Sequence, residues 1–103
     1  MNNLKRLAHE IAVSKGYWDG DRNETELIML VVTELAETVE ALRHGNPKSK
    51  VIKGFSQVEE ELADAMLRIL DLCKAKNYDI EGAIWAKMEY NKKRPRMHGG
   101  KKF

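Results

Sequence analysis

The chain has 103 residues and a formal net charge of +2, with 43% hydrophobic and 33% charged residues. This length holds one hydrophobic core, and the balance is typical of a folded domain rather than a disordered or membrane-embedded chain. The longest apolar stretch, residues 27–32, is far shorter than the roughly 20 residues that span a bilayer. We therefore expect one domain over residues 1–94, a short basic tail over residues 95–103, and no membrane partner.

The first predicted helix follows from the spacing of apolar residues. Such residues recur at three- and four-residue intervals between Leu4 and Ile11, which predicts a helix over residues 2–15. Gly16 is expected to end it, because glycine readily adopts the left-handed conformation that closes a helix. The polar sequence GYWDGDRN follows and is predicted to be a loop.

A second, longer helix is predicted after this loop. Asn23 is an expected N-cap, and Glu26 three residues later completes the pattern of a capping box. The apolar periodicity continues to Arg43, and the sequence His-Gly-Asn-Pro that ends at Pro47 terminates the helix. A polar connection over residues 47–55 comes next.

Two more helices complete the predicted fold. Ser56 and Glu59 repeat the capping-box pattern and begin a third helix that ends near residue 76. Asp79 is the expected cap of a fourth helix over residues 80–93, which Pro95 terminates because proline disfavours helical geometry in the preceding residue. Short connections place successive helices antiparallel. The predicted fold class is all-α, a bundle of about four helices.

The cysteine content and the charge distribution restrict the environment and the ligand. The single cysteine, Cys73, cannot form an internal disulfide and falls on the apolar side of the third helix, which favours a reducing, cytoplasmic setting. The N-terminal sequence also lacks the apolar core of a signal peptide. Residues 87–103 carry a charge of +6 and the preceding residues −4. An acidic body with a basic tail predicts a polyanionic ligand that also needs a cation.

Two acid pairs are the strongest functional signal. Glu34 and Glu37 lie three residues apart on the second helix, and Glu61 and Asp64 have the same spacing on the third. This spacing puts both carboxylates of a pair on one side of their helix. Glu34 falls against the apolar side, where an unpaired charge is costly.

The two acid pairs face each other if the second and third helices pack antiparallel. Four converging carboxylates repel one another unless they share protons or bind a hard cation, and their oxygen ligands suit Mg²⁺, Ca²⁺ or Mn²⁺ better than zinc. The alternative is that the acids lie on solvated helix faces, as Glu40 is expected to do. A di-iron carboxylate site requires histidine three residues after a glutamate. None of His9, His44 and His98 meets that requirement.

These motifs in their order resemble the MazG-type all-α nucleoside triphosphate pyrophosphohydrolases. The hallmark of that family is E-x-x-E on one helix and E-x-x-D on the next, which here are residues 34–37 and 61–64, the latter inside the phrase EEELADAMLRILDL. A third element, K-x-x-x-N-x-x-R, is matched by residues 87–94. The resemblance covers most of the chain from about Trp18 onward.

The resemblance implies a magnesium-dependent enzyme of the house-cleaning type that hydrolyses a nucleoside triphosphate to its monophosphate and pyrophosphate. It implies a bundle assembled as a homodimer or homotetramer, with Mn²⁺ as a substitute metal. The resemblance implies that the metal ligands and catalytic residues are Glu34, Glu37, Glu61 and Asp64. In an alternative form of this assignment, one of the glutamates positions the attacking water and does not bind the metal. The implied substrate-binding residues are Lys87, Asn91 and Arg94 for the triphosphate and Trp18 for the base.

Other interpretations stay open at the level of sequence. Trp18 either stacks on a base or covers the end of the bundle, and Lys87 is either a phosphate ligand or a surface lysine. A non-catalytic dimeric helical module that binds nucleotide or nucleic acid through the tail RPRMHGGKKF is the main functional alternative, although the acidic groups disfavour a long polyanion. A metal-binding regulator with a degenerate site is another. Oligomerisation is also expected because the helices carry more apolar surface than one short chain covers.

Overall fold

The computed structural model describes residues 1–95, which form four helices and no strand. The helices are α1 (Asn2–Ser14), α2 (Glu24–Arg43), α3 (Gln57–Lys76) and α4 (Ile80–Lys92). The predicted all-α class is confirmed, and each predicted helix end lies within about one residue of the observed one. None of these helices is both long and apolar enough to cross a membrane.

The helix starts follow from their capping residues. Ser56 and Glu59 form a complete capping box at α3, and the Asp79 carboxylate accepts a hydrogen bond from the Gly82 amide at α4 (3.0 Å). At α2, Asn23 accepts from the Glu26 amide (3.2 Å). The Asn23 amide does not donate in return to the exposed Glu26 side chain, so the capping box predicted for α2 is only half present.

Helix α3 lies between α1 and α2 and runs antiparallel to both. Beyond the end of α3, the Tyr78 hydroxyl donates to Glu24 at the start of α2 (2.7 Å). Lys5, near the start of α1, donates to the Tyr78 carbonyl (3.2 Å). The antiparallel arrangement of α2 and α3, which the acid-pair hypothesis requires, is therefore present.

Small side chains dominate the interior of this three-helix layer. Its buried apolar residues are Ala8, Ala12, Ala41, Ala65, Leu70, Leu72 and Cys73. Alanines allow the helix backbones to approach closely, and Cys73 lies on the apolar side as predicted. Within residues 1–95 no large side chain is fully buried, so the core of a single chain is thin.

The connection between α2 and α3 holds the two helices in register. The Asn46 side chain, at the end of α2, accepts a hydrogen bond from the Val58 amide in the first turn of α3 (2.9 Å). The Ser49 amide donates to the Phe55 carbonyl (2.8 Å), and the Ser49 hydroxyl donates to Glu60 (2.6 Å). These bonds fix the height of α3 beside α2 and thereby the height at which their acids meet.

Candidate metal centre

Three of the four predicted acids meet between α2 and α3. Glu34 and Glu61 are 8% and 7% exposed, and Asp64 is half-buried one turn after Glu61. One carboxylate oxygen from each of the three lies within 4.8 Å of the other two. The i, i+3 spacing on α3 produces this convergence, because it turns both carboxylates of that helix toward Glu34.

Glu37 occupies a different position from the other three acids. It lies one turn after Glu34 on α2, and its side chain is exposed. It is nevertheless close enough to Glu61 to influence the ionisation of that carboxyl. Glu37 therefore borders the cluster on the solvent side, whereas Glu34 and Glu61 form its buried floor.

The cluster resists full ionisation. Burial raises the pKa of Glu61 to about 7, and the neighbouring carboxyls of Glu37, Glu34 and Glu60 raise it as well. Burial also raises the pKa of Asp64, supported by the charge of Glu34 and opposed by Arg68. Near neutral pH the cluster therefore binds either a proton or another positive charge.

Two buried carboxylate oxygens have no hydrogen-bond partner among residues 1–95. They are Oε2 of Glu34 and Oε2 of Glu61. The other oxygen of Glu34 accepts a hydrogen bond from Nε of Arg68 at 3.0 Å, so one positive charge already offsets part of the cluster. Burying an unpaired anionic oxygen is costly, and such an oxygen calls for a cation or a proton.

The donor set fits a small divalent cation. It consists only of carboxylate oxygens, which are ligands for Mg²⁺, Mn²⁺ or Ca²⁺, and it includes neither the thiolate nor the imidazole that zinc prefers. Oxygens that bind the same Mg²⁺ ion at about 2.1 Å lie about 3 Å apart when adjacent and about 4.2 Å apart when opposite. The three carboxylate oxygens, all within 4.8 Å of one another, lie within about one such coordination sphere.

A cleft of about 400 Å³ opens beside the acids. Glu34 and Asp64 line both the cluster and the cleft, and the remaining walls come from α1, α3 and Tyr17. Those further lining residues are Ala8, Ile11, Ala12, Leu67, Arg68 and Asp71. A small molecule in this cleft would have an apolar wall on one side and the carboxylates on the other.

Trp18 does not line this cleft, but its side chain is hydrogen-bonded to Asp71, which does. Its indole nitrogen donates to Asp71 Oδ1 at 2.8 Å, and Nδ1 of His9 lies 2.8 Å from the same oxygen. The His9 and Trp18 rings meet edge to face with centroids 5.6 Å apart. Trp18 therefore lies next to the cleft, joined to it through Asp71. Sequence reasoning missed His9 and Asp71, which are 62 residues apart and show no local pattern.

The predicted phosphate-binding residues belong to α4 and to the residues directly after it. Lys87, Asn91 and Arg94 are all exposed on or just after α4. The Lys87 ammonium is 4.5 Å and the Arg94 guanidinium 5.9 Å from the centroid of the Tyr90 ring. Within residues 1–95 no hydrogen bond or ion pair joins them to the carboxylate cluster. Of the basic tail, only Pro95 belongs to the described residues.

No family model, curated protein or solved structure matches this chain. The resemblance to MazG-type enzymes therefore rests on the motifs at residues 34–37, 61–64 and 87–94 alone.

Proposed function

We propose that this protein is a metal-dependent nucleoside triphosphate pyrophosphohydrolase of the MazG type, which cleaves NTP or dNTP between the α and β phosphates to give the monophosphate and pyrophosphate. The observation that carries the proposal is the meeting of Glu34, Glu61 and Asp64 with two buried, unpartnered carboxylate oxygens. Such an arrangement is unfavourable for a merely structural cluster and favourable for a cation site.

The proposed metal is Mg²⁺, with Mn²⁺ as a substitute. Glu34, Glu61 and Asp64 hold it, and Glu37 at the rim is the further ligand or the group that positions the attacking water. When bound, such an ion lowers the pKa of a coordinated water and neutralises charge on the triphosphate. Arg68 holds Glu34 in place through its 3.0 Å hydrogen bond and so keeps one ligand oriented.

The cleft beside the cluster is the proposed nucleoside site. Its volume of about 400 Å³ falls in the range of small-molecule pockets. Ile11 and Leu67 offer apolar surface to a base or sugar, while Asp71 offers a carboxylate. A nucleoside in this position directs its phosphates toward Glu34 and Asp64. Lys87, Asn91 and Arg94 are the proposed triphosphate ligands, and Trp18, which is hydrogen-bonded to Asp71 of this cleft, is the proposed contact for the base.

A panel of ribo- and deoxyribonucleoside triphosphates, assayed for pyrophosphate release with and without Mg²⁺, tests this function. The Glu61→Gln variant removes one buried metal ligand, and we expect at least about a 100-fold loss of activity. Glu40→Gln is the matched control, because Glu40 is an exposed glutamate elsewhere on α2. Activity without added metal, or in Glu61→Gln at the level of Glu40→Gln, contradicts the proposal.

The assembly and location that accompany this proposal are a homodimer or homotetramer in the cytoplasm. The alternative, a non-catalytic module that binds nucleotide or nucleic acid, is distinguished by the same panel. Such a module binds a non-hydrolysable triphosphate in isothermal titration and yields no pyrophosphate from any substrate.

A further inference from the structure

The cleft beside the acids carries an uneven set of charges. Three carboxylates line it, those of Glu34, Asp64 and Asp71. Among the lining residues that belong to the described part of the chain, Arg68 is the single positively charged one. A phosphate group that enters the cleft with a nucleoside is repelled by the carboxylates and attracted by Arg68. The position of this guanidinium therefore determines where in the cleft a phosphate can lie.

Arg68 uses only part of its hydrogen-bonding capacity within the protein. A guanidinium has five N–H groups arranged in a planar fork. The Nε of Arg68 donates to Glu34 Oε1 at 3.0 Å, and its two terminal nitrogens, which carry the other four N–H groups, have no hydrogen-bond or ion-pair partner within residues 1–95. The side chain is 38% exposed and lines the cleft, so these nitrogens are available to a ligand there.

The bond to Glu34 also holds the guanidinium in place. Glu34 is buried on α2 and Arg68 belongs to α3, so the bond joins two helices that pack against each other. A long side chain normally loses rotamer freedom when it binds a ligand, and a bond that is already formed reduces this loss. Arg68 is therefore an anion-binding group that is oriented before any ligand arrives.

Arg68 has a defined place in the sequence of charges along α3. Asp64, Arg68 and Asp71 are spaced by four and three residues, which puts them on one side of the helix at successive rises of about 6 Å and about 4.5 Å. Asp64 belongs to the carboxylate cluster, whereas Asp71 is bonded to Trp18 at the proposed base end of the cleft. Arg68 therefore lies between the proposed metal and the proposed base.

The order of groups in a nucleotide matches this order along the helix. In a nucleoside triphosphate the α-phosphate is attached to the sugar, and the β- and γ-phosphates follow it. With the base near Asp71 and the scissile bond near the acids, the α-phosphate is the phosphate that comes closest to Arg68. Cleavage between the α and β phosphates leaves the α-phosphate on the monophosphate product, whereas the other two leave as pyrophosphate.

We infer that Arg68 binds the α-phosphate of the nucleotide through its terminal nitrogens while its Nε continues to hold Glu34. The inference rests on the proposed function and adds to it a phosphate ligand from the same helix as Glu61 and Asp64. Two parallel N–H···O bonds from the planar end of a guanidinium fit the oxygens of one phosphate group. Arg68 accordingly contacts the substrate and the monophosphate product, and it does not contact pyrophosphate.

Three kinds of ligand separate this contact from other roles of Arg68. They are the four common deoxynucleosides, their 5′-monophosphates and pyrophosphate, each titrated in the presence of Mg²⁺ and followed by the proton or phosphorus NMR signals of the ligand. In Arg68→Gln we expect the monophosphates to bind about 10- to 100-fold more weakly, because a charged hydrogen-bonding partner of their phosphate is lost. The nucleosides, which lack a phosphate, and pyrophosphate, which lacks the α-phosphate, should keep their affinities.

Two further variants complete the experiment. Arg43→Gln is the matched control, because Arg43 is an exposed arginine on α2 whose partner Glu40 is also exposed, and it should bind all three kinds of ligand as the wild type does. Arg68→Lys keeps a positive charge beside Glu34 and so protects the fold if Arg68→Gln is unstable. Lysine lacks the planar fork, so this variant should show a smaller loss that is again confined to the monophosphates.

Equal weakening of all three kinds of ligand overturns the inference, because Arg68 then acts only by keeping Glu34 and the metal in place. Unchanged binding of the monophosphates, a loss confined to pyrophosphate, or a wild type that binds no monophosphate overturns it as well. The titrations need no turnover, so they are independent of the pyrophosphate-release assay. An active wild type whose monophosphate binding does not depend on Arg68 rejects the inference alone. An inactive wild type whose monophosphate binding does depend on Arg68 rejects the proposed function alone.

Discussion

Arg68 is the residue that most directly balances the buried acids. Its guanidinium is 38% exposed at the side chain and donates to Glu34, whose side chain is 10% exposed. Removal of one partner from such a pair leaves an uncompensated charge in a dry setting, which is more costly than the loss of an exposed ion pair.

We predict that Arg68→Met lowers the free energy of unfolding of the metal-free protein by about 1–3 kcal/mol. Added Mg²⁺ should recover part of this loss, because a bound cation replaces the missing positive charge. Urea unfolding with and without Mg²⁺ measures both effects. Arg43→Met is the control, since Arg43 and its partner Glu40 are both mostly exposed and their pair contributes little. Equal losses in the two variants contradict the prediction.

The ionisation of Glu61 makes stability depend on pH. Its folded-state pKa of about 7 lies above the ordinary value of 4.5, so the folded protein binds more protons than the unfolded chain between these pH values. The metal-free protein therefore loses stability as pH rises from about 4.5 to about 7, and no further loss arises from this group above that range.

Glu61→Gln should remove most of this pH dependence, because glutamine stays uncharged. Unfolding of the metal-free protein at about pH 5 and about pH 8 gives the measurement, with Glu40→Gln retaining the wild-type difference. A pH dependence that is unchanged in Glu61→Gln assigns it to other groups.

At the level of helices, the sequence predicts the helix starts most directly, through their capping residues. Ser56, Glu59 and Asp79 act locally, and their bonds span only three residues, so spacing alone predicted them. The meeting of the two acid pairs was also predictable in outline, because helical spacing fixes each pair and short connections favour antiparallel neighbours.

The spacing of residues along the sequence does not predict side-chain contacts between distant segments. The bonds of His9 and Trp18 to Asp71 join α1 and its following loop to α3, and they depend on which helices become neighbours. The exposed position of Glu37 depends in turn on the rotation of α2 about its axis. The sequence pattern alone specifies neither which helices become neighbours nor how α2 is rotated about its axis.

The capping box of α3 gives a prediction at the scale of this element. Ser56→Ala should lower the free energy of unfolding by about 1 kcal/mol, because the Glu59 amide loses its acceptor. Lys53→Ala, which shortens an exposed side chain in the same connection, should have almost no effect. Thermal or urea unfolding of both variants tests the difference, and equal stability of the two contradicts the role of the cap.

For the whole molecule, an exposed apolar seam on α2, formed by Ile28, Val32, Leu35, Val39 and Leu42, predicts self-association. Leu35→Lys places a charge in the middle of the seam, where burial in an assembly would be costly. We expect this variant to sediment as a smaller species than the wild type at micromolar concentration. Thr33→Lys, on another exposed side of α2, should leave the assembly unchanged. A monomeric wild type under these conditions contradicts the assembly altogether.

The alanines between α2 and α3 set the spacing of the acids in the proposed metal site. Ala41 and Ala65 are 1% and 3% exposed, and their small side chains permit the close helix approach that brings Glu34 toward Asp64. A bulkier side chain at position 65, as in Ala65→Val, would widen this gap by pushing the helices apart. Since Ca²⁺ has a larger ionic radius than Mg²⁺, the preference of the widened site should shift toward calcium. In the proposed site, the choice between magnesium and calcium would thus depend on hydrocarbon packing at Ala65, next to Asp64 and one turn after Glu61.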